Sequence, residues 1–145
     1  MYFVDRKKIE AQLHYLDNQI ILLENQSNWN TLMEKAALER ITHMMLEVVL
    51  DVGNSMIDGF IMRDPGSYED IVDILEDEKV YSEKIAAELK QLLLYRKKLV
   101  HDYLNIDHQE LYDAFAARVQ TLKEFIVAIH DYLLNELGPV TAFKN

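Results

Sequence analysis

Hydrophobic residues recur along this chain at intervals of three and four. Near the N-terminus Ile9, Leu13, Leu16, Ile20 and Leu23 form one such series. That is the rhythm of a helix with one buried face. Asp5 or a neighbour starts this first helix, which runs to about Glu24, and Asn25-Gln26-Ser27-Asn28 is the first connection. A second helix is predicted from about Trp29 to about Met62, with Asn28 or Asn30 as N-cap. Its apolar positions (Ala37, Ile41, Met44, Val48, Val52, Ile57, Phe60) cover a broad face. Gly53 and Gly59 weaken it and mark close packing or a bend. Asp64-Pro65-Gly66 ends it.

Ser67 with Asp70 resembles a capping box and opens a short helix, Tyr68 to about Asp77, anchored by Ile71, Ile74 and Leu75. Ser82 caps a fourth helix. Its stripe is Ile85, Leu89, Leu92, Arg96, Leu99 and Tyr103. Asn105-Ile106-Asp107 breaks the pattern, and Asp107 with Glu110 is a second capping box. The fifth helix is predicted from about His108 to Leu137, with Leu111, Phe115, Leu122, Ile126, Ile129 and Leu133 inward. Gly138-Pro139 stops it, and a loose tail follows from about residue 139.

Helices joined by connections this short run antiparallel to their neighbours. The expected fold is therefore all-α: an up-and-down bundle of four long helices plus one short helix, in a single domain over residues 1–145. Composition agrees, with 50% hydrophobic residues and only 4 Gly and 2 Pro. Cys is absent, so disulfides and thiolate metal ligands are excluded, which is compatible with the cytoplasm. No apolar run approaches about 18 residues and no basic segment precedes an apolar one at the N-terminus. Neither a membrane span nor a secretory signal is expected.

Net charge is −10, which weighs against a broad electrostatic surface for nucleic acid. The charge is uneven. Asp64 to Glu78 holds seven acidic residues and no basic one, a solvated face or a dock for a basic partner. Arg96, Lys97 and Lys98 form a compact cationic cluster, so any RNA contact is local to it.

His43, Glu47 and Asp51 share a face of the second helix at i, i+4 and i+8. Di-iron bundles use Glu-x-x-His motifs, and none occurs here, so no metal is expected. Glu47 or Asp51 is better read as solvated, or as the partner of a buried cation such as Arg96. His14, His108 and His130 are single and scattered, the pattern of ordinary surface or partly buried histidines. Met33, Met44, Met45 and Met56 read as core filler, and Trp29 as a packing anchor or interface residue. No Gly-rich phosphate loop, Ser/His/Asp signature or Cys nucleophile is present.

Arg96 breaks the rule of its stripe. A guanidinium among apolar positions needs a countercharge, because burying it unpaired costs several kcal/mol. Tyr103, seven residues on, returns to nearly the same face about 10 Å along the axis. His101 is displaced by roughly 140° on an ideal helix. Bringing both Arg96 and His101 to one atom requires a distorted helix near His101 or a second copy of the chain across a twofold axis. These residue types suit metal-independent RNA cleavage by attack of a 2′-hydroxyl on the adjacent phosphate. His101 would pass protons, Arg96 would clamp the phosphate, and Lys97 or Lys98 would hold the flanking backbone. Deoxyribose lacks the nucleophile, so DNA is not a substrate.

Arg96-x-x-x-x-His101-x-Tyr103 resembles the signature of HEPN-superfamily proteins, specifically the HepT-like toxins. The segments around Lys35–Arg40, Asp51–Asn54, Tyr68–Leu75 and Leu99–Asp107 are similar to that group as well, so the resemblance runs from about residue 5 to about residue 137. It implies an all-helical bundle that homodimerises through the motif helix. It implies a ribonuclease toxin of a toxin–antitoxin pair, with Arg96 and His101 as the catalytic pair and no cofactor. It also implies a small nucleotidyltransferase antitoxin that transfers AMP from ATP to Tyr103 and silences the toxin. The position after the arginine, often Asn or another short polar residue in HEPN proteins, is Lys97 here. The alternatives are a non-catalytic HEPN partner or substrate subunit of a nucleotidyltransferase, and a structural dimerising bundle in which Arg96 pairs with a carboxylate.

Overall fold

The computed structural model describes residues 2–139. The expected tail falls almost wholly outside the described residues. Helix α1 (Arg6–Glu24) starts where Asp5 accepts the Lys8 amide hydrogen at 3.1 Å. All five residues of its predicted stripe are at most 1% exposed.

Helix α2 (Leu32–Gly59) begins at Thr31, not at Asn28 or Asn30. The reason is a complete capping box. Thr31 Oγ1 accepts the Glu34 amide at 3.1 Å, and the Glu34 carboxylate accepts the Thr31 amide at 2.9 Å, so two otherwise orphaned donors are satisfied. These amide bonds hold the Glu34 carboxyl below its usual pKa. Both glycines of α2 mark close packing rather than a bend. A Cβ at Gly53 would stand 2.5 Å from Ile71 Cγ2, and one at Gly59 2.8 Å from Val4 Cγ2. Helix α3 (Tyr68–Asp77) therefore lies tight against α2, capped by Ser67 as predicted. Asp70 does not close a reciprocal box, however. Its carboxylate accepts the Gly66 amide at 2.8 Å, one residue before the cap.

The predicted fourth and fifth helices are each broken. Helix α4 (Glu83–Leu93) is followed by a short α5 (Arg96–Val100) and a 3-10 turn (Tyr103–Asn105). Helix α6 (His108–Ala116) is separated from α7 (Val119–Leu137) by a tightened turn, where the Arg118 amide donates to the Phe115 carbonyl at 3.1 Å. Seven α-helices thus stand among the described residues where five were expected. The all-helical bundle itself is as predicted. Helix α2 is its centre and packs on α1, α3, α5 and α6, while α7 closes against α1 and α4.

The core runs through Phe115, Phe125, Met45 and Met56, all fully buried. Met33 does not join it and is 80% exposed. Trp29 is a packing anchor, its ring 6.2 Å from that of Tyr112. Arg6 is buried and donates to the Gly138 carbonyl at 2.6 Å. It thereby ties the start of α1 to the end of α7, where φ is +79° and glycine is the natural residue. The acidic run is partly neutralised from outside it. Arg63 binds Asp70 and Asp77 at 3.1 and 3.2 Å, and Lys90 binds Asp73 at 2.8 Å. No helix of the described residues is long and apolar enough to cross a membrane.

Candidate active site

The two backbone breaks around Arg96-Lys97-Lys98-Leu99-Val100-His101 shape the site. At the first, the Tyr95 amide reaches only back to Leu92, at 3.1 Å, and the helix restarts when Leu99 donates to Tyr95 at 3.0 Å. The Tyr95 ring packs edge-on against Phe115, 6.0 Å away, while Leu94 is turned outward. This fixes the rotation of α5 so that Arg96 points back at α2 and α3.

Arg96 finds its countercharge there. Its Nε donates to Glu47 Oε2 at 2.9 Å and its Nη2 to Oε1 at 3.4 Å. Its Cζ lies 4.4 Å from the centre of the Tyr68 ring, a cation–π distance. Three helices that are distant in sequence hold one guanidinium. The Glu47 carboxylate raises the Arg96 pKa above its already high usual value, so the group is a permanent cation. Asp51 is not the partner. It lies one turn on along α2, and partial desolvation by its neighbours, then the Glu47 charge, pushes its carboxyl up. On the other side of Glu47, His43 Nε2 sits 3.9 Å from Oε1 and is buried without a hydrogen-bond partner.

The second break sits at His101. The Lys97 carbonyl accepts two amide hydrogens, from His101 at 2.8 Å and from Asp102 at 3.1 Å. The second closes the wider ring of a π-type turn, a local feature frequent at functional sites. Asp102 then leaves the helix at φ −100°, ψ 41°. The distortion expected near His101 is thus present. It also removes the premise of another expectation, since Tyr103 no longer belongs to the helix that carries Arg96. It opens the 3-10 turn and is 61% exposed, next to Leu104 at 87%. The His101 side chain is exposed, as are Lys97 and Lys98.

Sequence reasoning had singled out Arg96, Glu47, His101 and Tyr103. It missed Tyr68, whose contact with Arg96 crosses between helices and leaves no trace in spacing. Two of the histidines read as scattered are paired: His108 with Glu39 at 2.7 Å and His130 with Glu10 at 3.0 Å. Among the described residues no three His, Asp or Glu side chains gather as metal ligands would.

An all-α bundle of this order is the fold of HEPN-type domains. This chain belongs to the HepT-like ribonuclease family, which it matches over residues 14–129. YutE of Bacillus subtilis strain 168, whose name as an RNase is provisional, is 54% identical over 144 residues, covering 99% of this chain and all of that protein. The solved structure of YutE, described as a cytosolic protein of unknown function, superposes with a TM-score of 0.95 at 53% identity, over 99% of this chain and 100% of that one. A tri-AMPylated Shewanella oneidensis HEPN toxin in complex with its MNT antitoxin shares the fold, with a TM-score of 0.74 and 16% identity over 90% of this chain and 99% of that one.

Proposed function

We propose that this chain is the ribonuclease toxin of a toxin–antitoxin pair and cuts RNA without a metal ion. The observation that carries this reading is a fixed cation and a solvent-exposed imidazole five residues apart at a broken helix end. Arg96 is held by Glu47 and Tyr68, and His101, five residues on, is exposed at the helix end. In the proposed reaction His101 takes the proton of a 2′-hydroxyl. The freed oxygen attacks the adjacent phosphorus, and the 5′-oxygen leaves with a proton returned by an imidazole. Arg96 offers its remaining N–H groups to the phosphate oxygens as charge builds on them. A homodimer across the exposed Leu94 and Leu104 would bring two such sets to one cleft. DNA would not be cut.

Regulation follows from Tyr103. Its exposure makes the hydroxyl accessible to a nucleotidyltransferase antitoxin. Transfer of AMP from ATP forms a phosphodiester on the tyrosine oxygen and releases pyrophosphate. The new anion lies two residues from His101 and repels RNA. The AMPylated state of the Shewanella oneidensis toxin supports this reading.

The test is RNA cleavage by the purified, unmodified protein. His101→Ala is expected to lower it by about 10²–10⁴-fold and Arg96→Ala by about 10²–10³-fold; unchanged cleavage in both would overturn the assigned roles. One observation favours a non-catalytic reading, a structural dimerising bundle or a substrate subunit of the nucleotidyltransferase: Arg96 is already paired with a carboxylate of its own chain, Glu47. Both predict no RNA cleavage, and only the substrate subunit gives a mass increase on Tyr103 when the enzyme and ATP are supplied.

A further inference from the structure

Between the start of α2 and the start of α6 lies a polar cavity of about 560 Å³, within the range of small-ligand pockets. We propose that this cavity is a nucleotide subsite, seating one base of the RNA strand beside the cut; the inference rests on the ribonuclease reading above. Its lining supplies what a splayed-out base needs. The half-buried Tyr112 ring supplies the aromatic wall, backed by the buried Trp29 ring 6.2 Å away and inclined at 40°. Single-stranded RNA is held by such rings together with side chains that match base edges. Asn30 and Gln109 carry carboxamides that both donate and accept. Lys35 adds the positive charge for a phosphate, and His108 is fixed in the wall by its 2.7 Å contact with Glu39.

A further feature points the same way. The cavity follows directly on the motif. Its lining resumes at Ile106, immediately after the Tyr103–Asn105 turn that succeeds His101. The helix starts are closed by their own caps, Thr31 with Glu34 and Asp107 to the Glu110 amide at 3.1 Å, so ligand contacts fall to side chains. The one carboxylate in the lining, Asp107, is engaged in that cap.

Trp29 is the single tryptophan of the chain, so its emission reports on the cavity without a label. The intact protein would be titrated with AMP and with a short 2′-O-methylated RNA, which lacks the nucleophile and is not cut. A saturable change in emission is expected with the RNA. Lys35→Ala and Gln109→Ala should each weaken binding about tenfold, the scale of one stacked or paired contact. Lys84→Ala, on the exposed side of α4, should bind as the parent does. In cleavage assays the first two variants should raise KM and keep kcat. Emission unaltered by either probe, or parental affinity in both Lys35→Ala and Gln109→Ala, would overturn the subsite. The two readings fail separately. RNA that quenches Trp29 but is never cut leaves the subsite standing and removes the ribonuclease. Cleavage with a silent Trp29 and unaffected variants does the reverse.

Discussion

The guanidinium of Arg96 has five N–H donors, and Glu47 accepts from two of its nitrogens, at 2.9 and 3.4 Å. The remaining edge is available to a second anion, so the ion pair orients the cation as well as neutralising it. If Glu47 is a positioning residue, Glu47→Gln, which can still accept from Nε, should keep RNA cleavage within about tenfold of the parent. Glu47→Ala should lower it further and also cost about 1–3 kcal/mol of stability, since it leaves the part-buried guanidinium without its acceptor. Asp51 gives a second prediction. Its carboxyl is pushed up by partial desolvation and then by Glu47, so its ionised form costs stability in the folded state, and that cost appears as pH rises through its folded pKa. Asp51→Asn should therefore raise the thermal midpoint at pH 7. The gain should vanish below the usual aspartate value of 3.8. Screening at this exposed position keeps it under about 1 kcal/mol. That Arg96 needed a countercharge was legible from its place in an apolar stripe. Which carboxylate supplied it was not, because Glu47 and Asp51 share one face and only the packing of α5 on α2 separates them.

At the scale of elements, the two broken helices show where periodicity stops informing. The stripe continues in step through residues 92–99 and 111–122, and neither break carries Gly or Pro. The helices are interrupted by packing, Tyr95 against Phe115 at one break and Arg118 reaching Glu88 at 2.7 Å near the other. Thr31-x-x-Glu34 is a different case. The capping signature was present in the chain and outranks the nearby asparagines, since it satisfies two amides and they would satisfy one. Gly53 yields a test of the α2–α3 contact. Gly53→Ala gains about 1 kcal/mol of helix propensity, but its methyl meets Ile71 Cγ2 at 2.5 Å, and overpacking costs about 1–3 kcal/mol. Urea unfolding should show a net loss. Ile71→Leu, which removes the branch that clashes, should restore part of it.

For the whole molecule, fold class was readable throughout because long amphipathic helices state their buried face in their spacing. Assembly was not, since a surface that pairs with its own copy looks like any exposed apolar group until it is placed in space. Leu94 and Leu104 are 60% and 87% exposed on the motif side of the bundle. Sedimentation of the proposed dimer should give two opposite salt responses. Each copy carries a net charge of −10, so added salt should strengthen self-association by screening repulsion. The same salt should weaken RNA binding through the Arg96–Lys98 cluster. Leu104→Lys should shift the protein toward monomer and lower cleavage together; loss of one without the other would separate the interface from the site.

The doubled hydrogen bond on the Lys97 carbonyl has a consequence for timing. It pins the backbone of His101 and Asp102 while the imidazole stays in water, free to sample its rotamers. Fixing such a side chain costs about 0.5–1.5 kcal/mol in entropy, and that ordering falls due only when RNA or a second copy packs against it. On the proposed reading of a dimeric ribonuclease, the lone subunit is the least competent form of the molecule. Activity should rise more steeply than in proportion to concentration, so that a few newly made copies do little until they meet.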